Sequence, residues 1–91
     1  GWLYEGGIRE IFLARWTGVT KPGSVNDTVV TSPDFMATIA EITGVSKPAT
    51  KLDGLSFLPA LKGRSMARGP VFWHYPHYGN QGGFPGGAVR D

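Results

Sequence analysis

Gly1-Trp2-Leu3-Tyr4-Glu5-Gly6-Gly7-Ile8-Arg9 runs on through Glu10 into the apolar segment Ile11-Phe12-Leu13-Ala14-Arg15-Trp16. Adjacent Gly6 and Gly7 have no Cβ, so the backbone there is free to take positive φ or to press against another backbone. The expected result is a bend feeding a strand. Glu5 and Arg9 flank the bend and are placed to pair as ions, an interaction that shapes the turn more than it stabilises it. Ile8 to Trp16 carries apolar residues on both faces, the pattern of a strand buried in a largely parallel sheet. A run this short also fits a buried helix. Its β-branched and aromatic content, and the turn residues Thr17-Gly18 and Lys21-Pro22-Gly23 behind it, favour the strand.

Downstream, Gly18 to Asp27 reads as a surface loop and Thr28-Val29-Val30 as a short extended piece. Thr31-Ser32-Pro33-Asp34 is a helix start: Ser32 offers a capping hydroxyl, Pro33 suits the first helical position, and Asp34 suits the positive end of the dipole. The spacing predicts a helix from Pro33 to Thr43, with Phe35, Ile39 and Ile42 on a buried stripe widened by Met36 and Ala40, and a left-handed stop at Gly44. Ser46 to Asp53 is a second loop, extended before Pro48. Asp53-Gly54-Leu55-Ser56 opens a short helix capped by Ser56, with Pro59 in its first turn, Leu55, Leu58 and Leu61 inward, and Gly63 at its end. Val71-Phe72-Trp73-His74 is a strand of β-prone residues, and a glycine-rich loop over Tyr75 to Gly87 leads to a returning strand at Ala88-Val89-Arg90-Asp91.

Three blocks of this chain resemble the formylglycine-dependent sulfatases, the arylsulfatase-like branch of the alkaline phosphatase superfamily. Tyr4-Glu5-Gly6-Gly7-Ile8-Arg9, with an apolar run ending in Arg15-Trp16, is similar to that family's Tyr-Glu-Gly-Gly-x-Arg signature. Asp53-Gly54-Leu55-Ser56 through Leu61-Lys62-Gly63 is similar to a block that follows the helix there. Phe72-Trp73-His74-Tyr75-Pro76-His77-Tyr78, and later Arg90-Asp91, resemble the opening of its C-terminal antiparallel subdomain. The chain departs from the family at Ile11 and Thr17, which stand where prolines are usual.

The resemblance implies the α/β class, as a piece of an alkaline-phosphatase-like sheet-and-helix sandwich: residues 1–68 as the end of the catalytic domain, residues 69–91 as the start of the C-terminal subdomain with its first strand. It implies hydrolysis of aryl or carbohydrate sulfate esters by the complete enzyme, periplasmic or secreted. There a formylglycine arises from Cys/Ser-x-Pro-x-Arg beside a calcium held by Asp and Asn side chains. Neither that motif nor those segments occur in these residues, so no catalytic residue, calcium or other cofactor is expected in this piece, and its first partner is the remainder of its own chain. A lysine that contacts the sulfate commonly precedes the glycine matching Gly1.

Bulk composition agrees with a piece of something larger. A chain of 91 residues buries only about 60 to 65% of the surface its unfolded form exposes. With 14 glycines and 7 prolines much of it must be irregular, yet 41% hydrophobic residues are too many for a disordered tail. The net charge of +2 is scattered, without the basic run that follows a phosphate backbone, which argues against nucleic acid. No apolar run is long enough to span a membrane. The absence of cysteine removes disulfides and thiolate chemistry. Lys62-Gly63-Arg64-Ser65 lacks the spacing of a phosphate loop and leaves a helix instead of entering one.

The candidate site residues are His77 and His74. Two histidines spaced by Tyr75-Pro76 invite a metal reading, but a site needs three or four protein ligands and the loop offers no carboxylate before Asp91. His74 lies in the strand and reads as structural first. His77 follows Pro76 in a loop of rings and amides, where Asn80, Gln81 and the imidazole supply directional hydrogen bonds and the rings supply apolar faces. That mixture suits the sugar or aryl group of an ester, and by resemblance the loop lies near the sulfatase pocket. Two other readings stay open from sequence: a stand-alone glycan-binding or interaction module, and a phosphoesterase relative with another nucleophile and zinc.

Overall fold

The computed structural model describes residues 2–45, 51–80 and 82–91. Within them lie helices α1 (Glu5–Ile8), α2 (Asp34–Thr43) and α3 (Leu58–Leu61), followed by strands β1 (Val71–Tyr75) and β2 (Gly86–Arg90). The class is α/β. The chain divides into two compact units, Gly1–Leu13 with Arg68–Asp91, and Ala14–Ala67. The loop expected around Lys47-Pro48 falls on residues 46–50 and, like Gln81, lies outside the described residues.

In the first unit the Gly6-Gly7 bend is a single helical turn. The N–H groups of Gly7 and Ile8 donate to the Tyr4 carbonyl at 2.8 and 3.1 Å. An ideal Cβ on Gly7 would meet the Trp2 carbonyl oxygen at 2.0 Å, whereas one on Gly6 would meet nothing within 4 Å. Close approach, not positive φ, is therefore what demands glycine at position 7. Glu5 accepts from Arg9 at 3.3 Å, the pairing expected across the bend. Both side chains are exposed, so the pair contributes at most about 1 kcal/mol.

The strand expected over Ile8 to Trp16 is not formed. Ile8 closes α1, residues 9–16 have no regular structure, and Ile11 and Leu13 stand 89% and 87% exposed. A strand is held by hydrogen bonds to a neighbouring backbone, and the sheet among the described residues consists of β1 and β2 alone. These two pair antiparallel with Val71 opposite Arg90 and Tyr75 opposite Gly86, so the returning strand begins two residues earlier than its sequence suggests.

The second unit is built around α2. Pro33 is its N-cap, with φ −59° and ψ −21°, and Gly44 stops it in the left-handed region at φ 69° and ψ 15°. The end is as expected; the start is not capped by Ser32. The carboxylate of Asp34 turns back instead, accepting the Thr31 N–H at 2.7 Å and the Thr31 hydroxyl at 3.1 Å.

The face that is covered also differs from the expected one. Asp34 is 0% exposed and Thr38 2%, while Phe35, Met36, Ile39 and Ile42 stand open. Hydrophobic spacing marks a stripe that requires cover, and this unit does not supply it; the polar face one position round meets the 54–57 segment. Asp34 accepts the Leu55 N–H at 2.9 Å, and the Thr38 hydroxyl accepts the Phe57 N–H at 3.0 Å while donating to the Asp34 carbonyl at 2.7 Å. Phe57, at 4% exposure, is the one fully buried apolar side chain among the described residues, with its ring edge-on to Phe35 at 5.2 Å. The inward residues expected here, Leu55, Leu58 and Leu61, are exposed or half-buried.

Helix α3 begins one residue beyond Phe57, and Ser56, which precedes that N-cap, accepts the Leu58 N–H at 3.3 Å. It ends in a left-handed Gly63 with φ 77°. The Gly63 N–H donates to Ala60 at 3.0 Å and the Arg64 N–H to Pro59 at 2.9 Å, the two bonds of a Schellman stop. The Asn26 amide ties the preceding loop to this end, donating to the Ala60 and Arg64 carbonyls at 3.4 Å each.

Nothing lies within 4 Å of a Cβ built on Gly44, so any cost of a side chain there comes from φ alone. Gly44→Val is expected to destabilise by about 1 kcal/mol or more. Chemical denaturation of the two proteins measures it, and equal midpoints would contradict the backbone argument.

Candidate functional site

The first unit carries the glycine-rich loop, and its geometry follows from the hairpin. Alternation along β1 puts Val71, Trp73 and Tyr75 on one face and Phe72 and His74 on the other. Their partners alternate likewise, with Gly86, Ala88 and Arg90 on the Tyr75 face and Gly87 and Val89 on the His74 face. His74 is exposed. His77, two residues past the strand, sets its ring edge-on against Tyr75, with centroids 5.8 Å apart and planes at 85°. The two histidines thus leave the hairpin differently: His77 packs on a ring of the half-buried face, and His74 departs from the opposite face.

Tyr75 lines a cleft of about 270 Å³ whose other walls come from the opposite end of the chain, Trp2, Leu3 and Tyr4, and from Phe84 beside the start of β2. Trp2 meets Phe84 edge-on at 5.6 Å and lies tilted against Tyr4 at 6.2 Å. The floor is backbone, at Gly83, Gly86 and Gly87. Glu5 anchors this arrangement. One carboxylate oxygen accepts from Arg9 and the other from Arg90 at the end of β2, so the N-terminal turn is tied to the hairpin.

Sequence reasoning picks out the His77 loop by composition but not the cleft beside it. Trp2 and Phe84 are too far apart in the chain for any local pattern to link them, as are Glu5 and Arg90. The concentration of aromatic residues and glycine at the two ends is the available signal.

Among the described residues no three His, Asp or Glu side chains gather to hold a metal ion. The buried carboxylate, Asp34, already accepts three hydrogen bonds within its own unit. The described residues thus offer no donor set for the calcium that the resemblance implies for the complete enzyme. No helix of the described residues is long and apolar enough to cross a membrane.

Comparison with known proteins supplies the context. Residues 1–83 match the family model of the N-sulphoglucosamine sulphohydrolase C-terminal region. The chain is similar to a sulfatase of Formosa agariphila, 40% identical over 85 residues that make up 86% of this chain and 15% of the relative. It is 36% identical to human arylsulfatase A over 78 residues, again 86% of this chain and 15% of the relative. Human N-acetylgalactosamine-6-sulfatase is 37% identical over 73 residues, 78% of this chain and 14% of that protein. The chain thus spans about 15% of the length of the curated relatives it matches. With the family model covering most of its residues and the Tyr4-to-Arg9 block built as a tight turn beside an aromatic cleft, the chain belongs to the sulfatase family and corresponds to its C-terminal region.

Proposed function

We propose that this chain is the part of a sulfate-ester hydrolase that forms scaffold and one wall of the substrate pocket, with His77 as a substrate contact. The match of residues 1–83 to a sulfatase C-terminal region carries the reading. On it, residues 1–68 close the catalytic sheet-and-helix sandwich, residues 69–91 open the C-terminal subdomain, and the exposed run Ile11 to Trp16 becomes a sheet strand once the rest of the protein supplies neighbours. In the complete enzyme formylglycine and calcium supply the nucleophile and the positive charge for the sulfate; the described residues of this chain bind and position the ester.

Geometry gives His77 the better claim of the two histidines. Pro76 stiffens the approach to it, which lowers the entropy cost of presenting the ring, and Tyr75 supports one edge of the imidazole. A hydrogen bond from His77 to the ester strengthens as charge builds on the leaving oxygen. In the full-length protein, His77→Ala is expected to lower kcat/KM about ten- to a hundredfold, equivalent to roughly 1.4 to 2.7 kcal/mol of transition-state stabilisation. His74→Ala, on the other sheet face, is expected to cost several-fold less. Steady-state kinetics with sulfate esters, alongside thermal melting, measures both. An unchanged kcat/KM for a well-folded His77→Ala protein removes the assigned role.

A further inference from the structure

From three contacts made in chain order we infer that residues 2–5 brace the loop that carries His77, with Trp2 as a positioning residue for that histidine. The inference rests on the substrate-contact reading of His77 above and adds the group that holds it in place.

The loop needs a brace. Between Tyr75 and Gly86 it contains Gly79, Gly82 and Gly83, and glycine has the most backbone freedom to lose on ordering. A histidine that must meet an ester at hydrogen-bond distance tolerates little wandering, since a misplacement of about 1 Å costs on the order of a hundredfold in rate. The outgoing limb of the loop is held by the edge-on contact of His77 with Tyr75. The returning limb is held from outside the hairpin, by Trp2.

A Cβ built on Gly82 would lie 3.7 Å from Cζ2 and 3.9 Å from Nε1 of Trp2, so the loop backbone sits against the indole. Phe84 meets the same indole edge-on at 5.6 Å. Next along the chain, Leu3 lies against Gly86, the first residue of β2, where a built Cβ would stand 3.8 Å from Leu3 Cδ1. Glu5 then takes the guanidinium of Arg90, the last residue of β2. Residues 2, 3 and 5 thus meet residues 82–84, 86 and 90 in the same order, so the segment runs alongside β2 from the loop end of the hairpin to its open end. Gly86 and Arg90 belong to the Tyr75 face, so the brace and the ring that supports His77 share one side of the sheet.

The brace is itself stiff. The N–H groups of Gly7 and Ile8 bond back to the Tyr4 carbonyl at 2.8 and 3.1 Å, and the Trp2 carbonyl oxygen is so close to Gly7 that a Cβ there would be 2.0 Å away. The turn therefore fixes Trp2 and Glu5 relative to each other. An exposed ion pair adds little stability, but the Glu5–Arg90 pair sets where along β2 the indole stands.

The test uses the full-length protein, with para-nitrophenyl sulfate and glucosamine 6-sulfate as probes. Trp2→Ala is expected to lower kcat/KM about tenfold, and Trp2→Phe, which keeps a ring against Gly82 and Phe84, less than about threefold. In a His77→Ala background the same Trp2→Ala change is expected to alter kcat/KM by less than about twofold, because the brace then has nothing left to position. Its effect on melting temperature should persist in both backgrounds. Glu5→Ala leaves every ring in place and is expected to cost about threefold in the parent and less than about twofold beside His77→Ala, which keeps the test open if Trp2→Ala does not fold. Amide hydrogen exchange in the loop between β1 and β2 should quicken in both variants. Equal losses with and without His77, or an unchanged kcat/KM in folded Trp2→Ala and Glu5→Ala proteins, would show that the segment packs without positioning His77 and overturn the inference. An unchanged kcat/KM for His77→Ala alone would instead remove the substrate-contact reading, and this inference with it.

Discussion

Gly54→Ala is expected to destabilise the unit formed by residues 14–67 by about 2 to 3 kcal/mol, the upper range for forcing an added methyl into a packed site. A Cβ built on Gly54 lies 2.0 Å from the Pro33 carbonyl oxygen, 2.3 Å from its carbon and 2.7 Å from the Asp34 Cα. All three are backbone atoms at the start of α2, so no side chain can swing aside to make room. The segment carrying residue 54 must lift away, and in doing so it strains the bonds from Leu55 N–H to Asp34 and from Phe57 N–H to Thr38, 2.9 and 3.0 Å long. Phe57, the fully buried ring, moves with them. Thermal melting and denaturant titration measure the loss. Gly6→Ala is the matched comparison: its Cβ meets nothing within 4 Å and its φ is not positive, so its expected effect is within about 0.5 kcal/mol. Equal stability of the two variants would show that the contact at Gly54 relaxes without cost.

The role of Gly54 also shows where sequence reading stops. Features set by neighbours in the chain were legible: the left-handed stops at Gly44 and Gly63, the turn glycines Gly18 and Gly23, the Glu5–Arg9 pair, and the two strands around the glycine-rich loop. Each depends on steric or hydrogen-bonding preferences acting over a few residues. Features set by distant residues were not. Hydrophobic spacing identified the stripe of Phe35, Ile39 and Ile42 as one that requires cover, but spacing carries no information about which segment provides it. The Ile8 to Trp16 run has the same difficulty, because a strand's existence depends on its neighbours. At the helix start Ser32 was the expected cap, yet no side chain caps α2: the Asp34 carboxylate turns back to Thr31 with one oxygen and takes the Leu55 N–H, twenty-one residues on, with the other. The candidate site divides in the same way: the His77 loop announced itself by composition, whereas its joining to Trp2 and Tyr4 is a product of the fold.

Asp34 should prove the most sensitive side chain in that unit. It is fully buried, and its carboxylate accepts the Thr31 N–H, the Thr31 hydroxyl and the Leu55 N–H at 2.7, 3.1 and 2.9 Å. Asp34→Ala strips an acceptor from two backbone N–H groups and opens a cavity between α2 and the 54–57 segment. Buried donors left unsatisfied cost about 1 to 3 kcal/mol each, so a loss of roughly 3 kcal/mol or more is expected. Asp34→Asn keeps the shape but replaces one acceptor with a donor, setting NH₂ against N–H on whichever side it faces, and is expected to cost roughly half as much. Thr38→Val removes the hydroxyl that accepts from Phe57 while nearly preserving volume, for about 1 to 2 kcal/mol. Because Asp34 and Thr38 hold the same segment, the double variant is expected to lose less than the sum of the single losses, with a coupling above about 0.5 kcal/mol. In the full-length protein these variants should lower the melting temperature while leaving kcat/KM per folded molecule near that of the parent, since neither residue lines the aromatic cleft. Strict additivity in the double-mutant cycle would show that each residue holds its own part of the loop. A fall in kcat/KM without a fall in melting temperature would instead place Asp34 in the chemistry, contrary to the hydrogen bonds that already occupy its carboxylate.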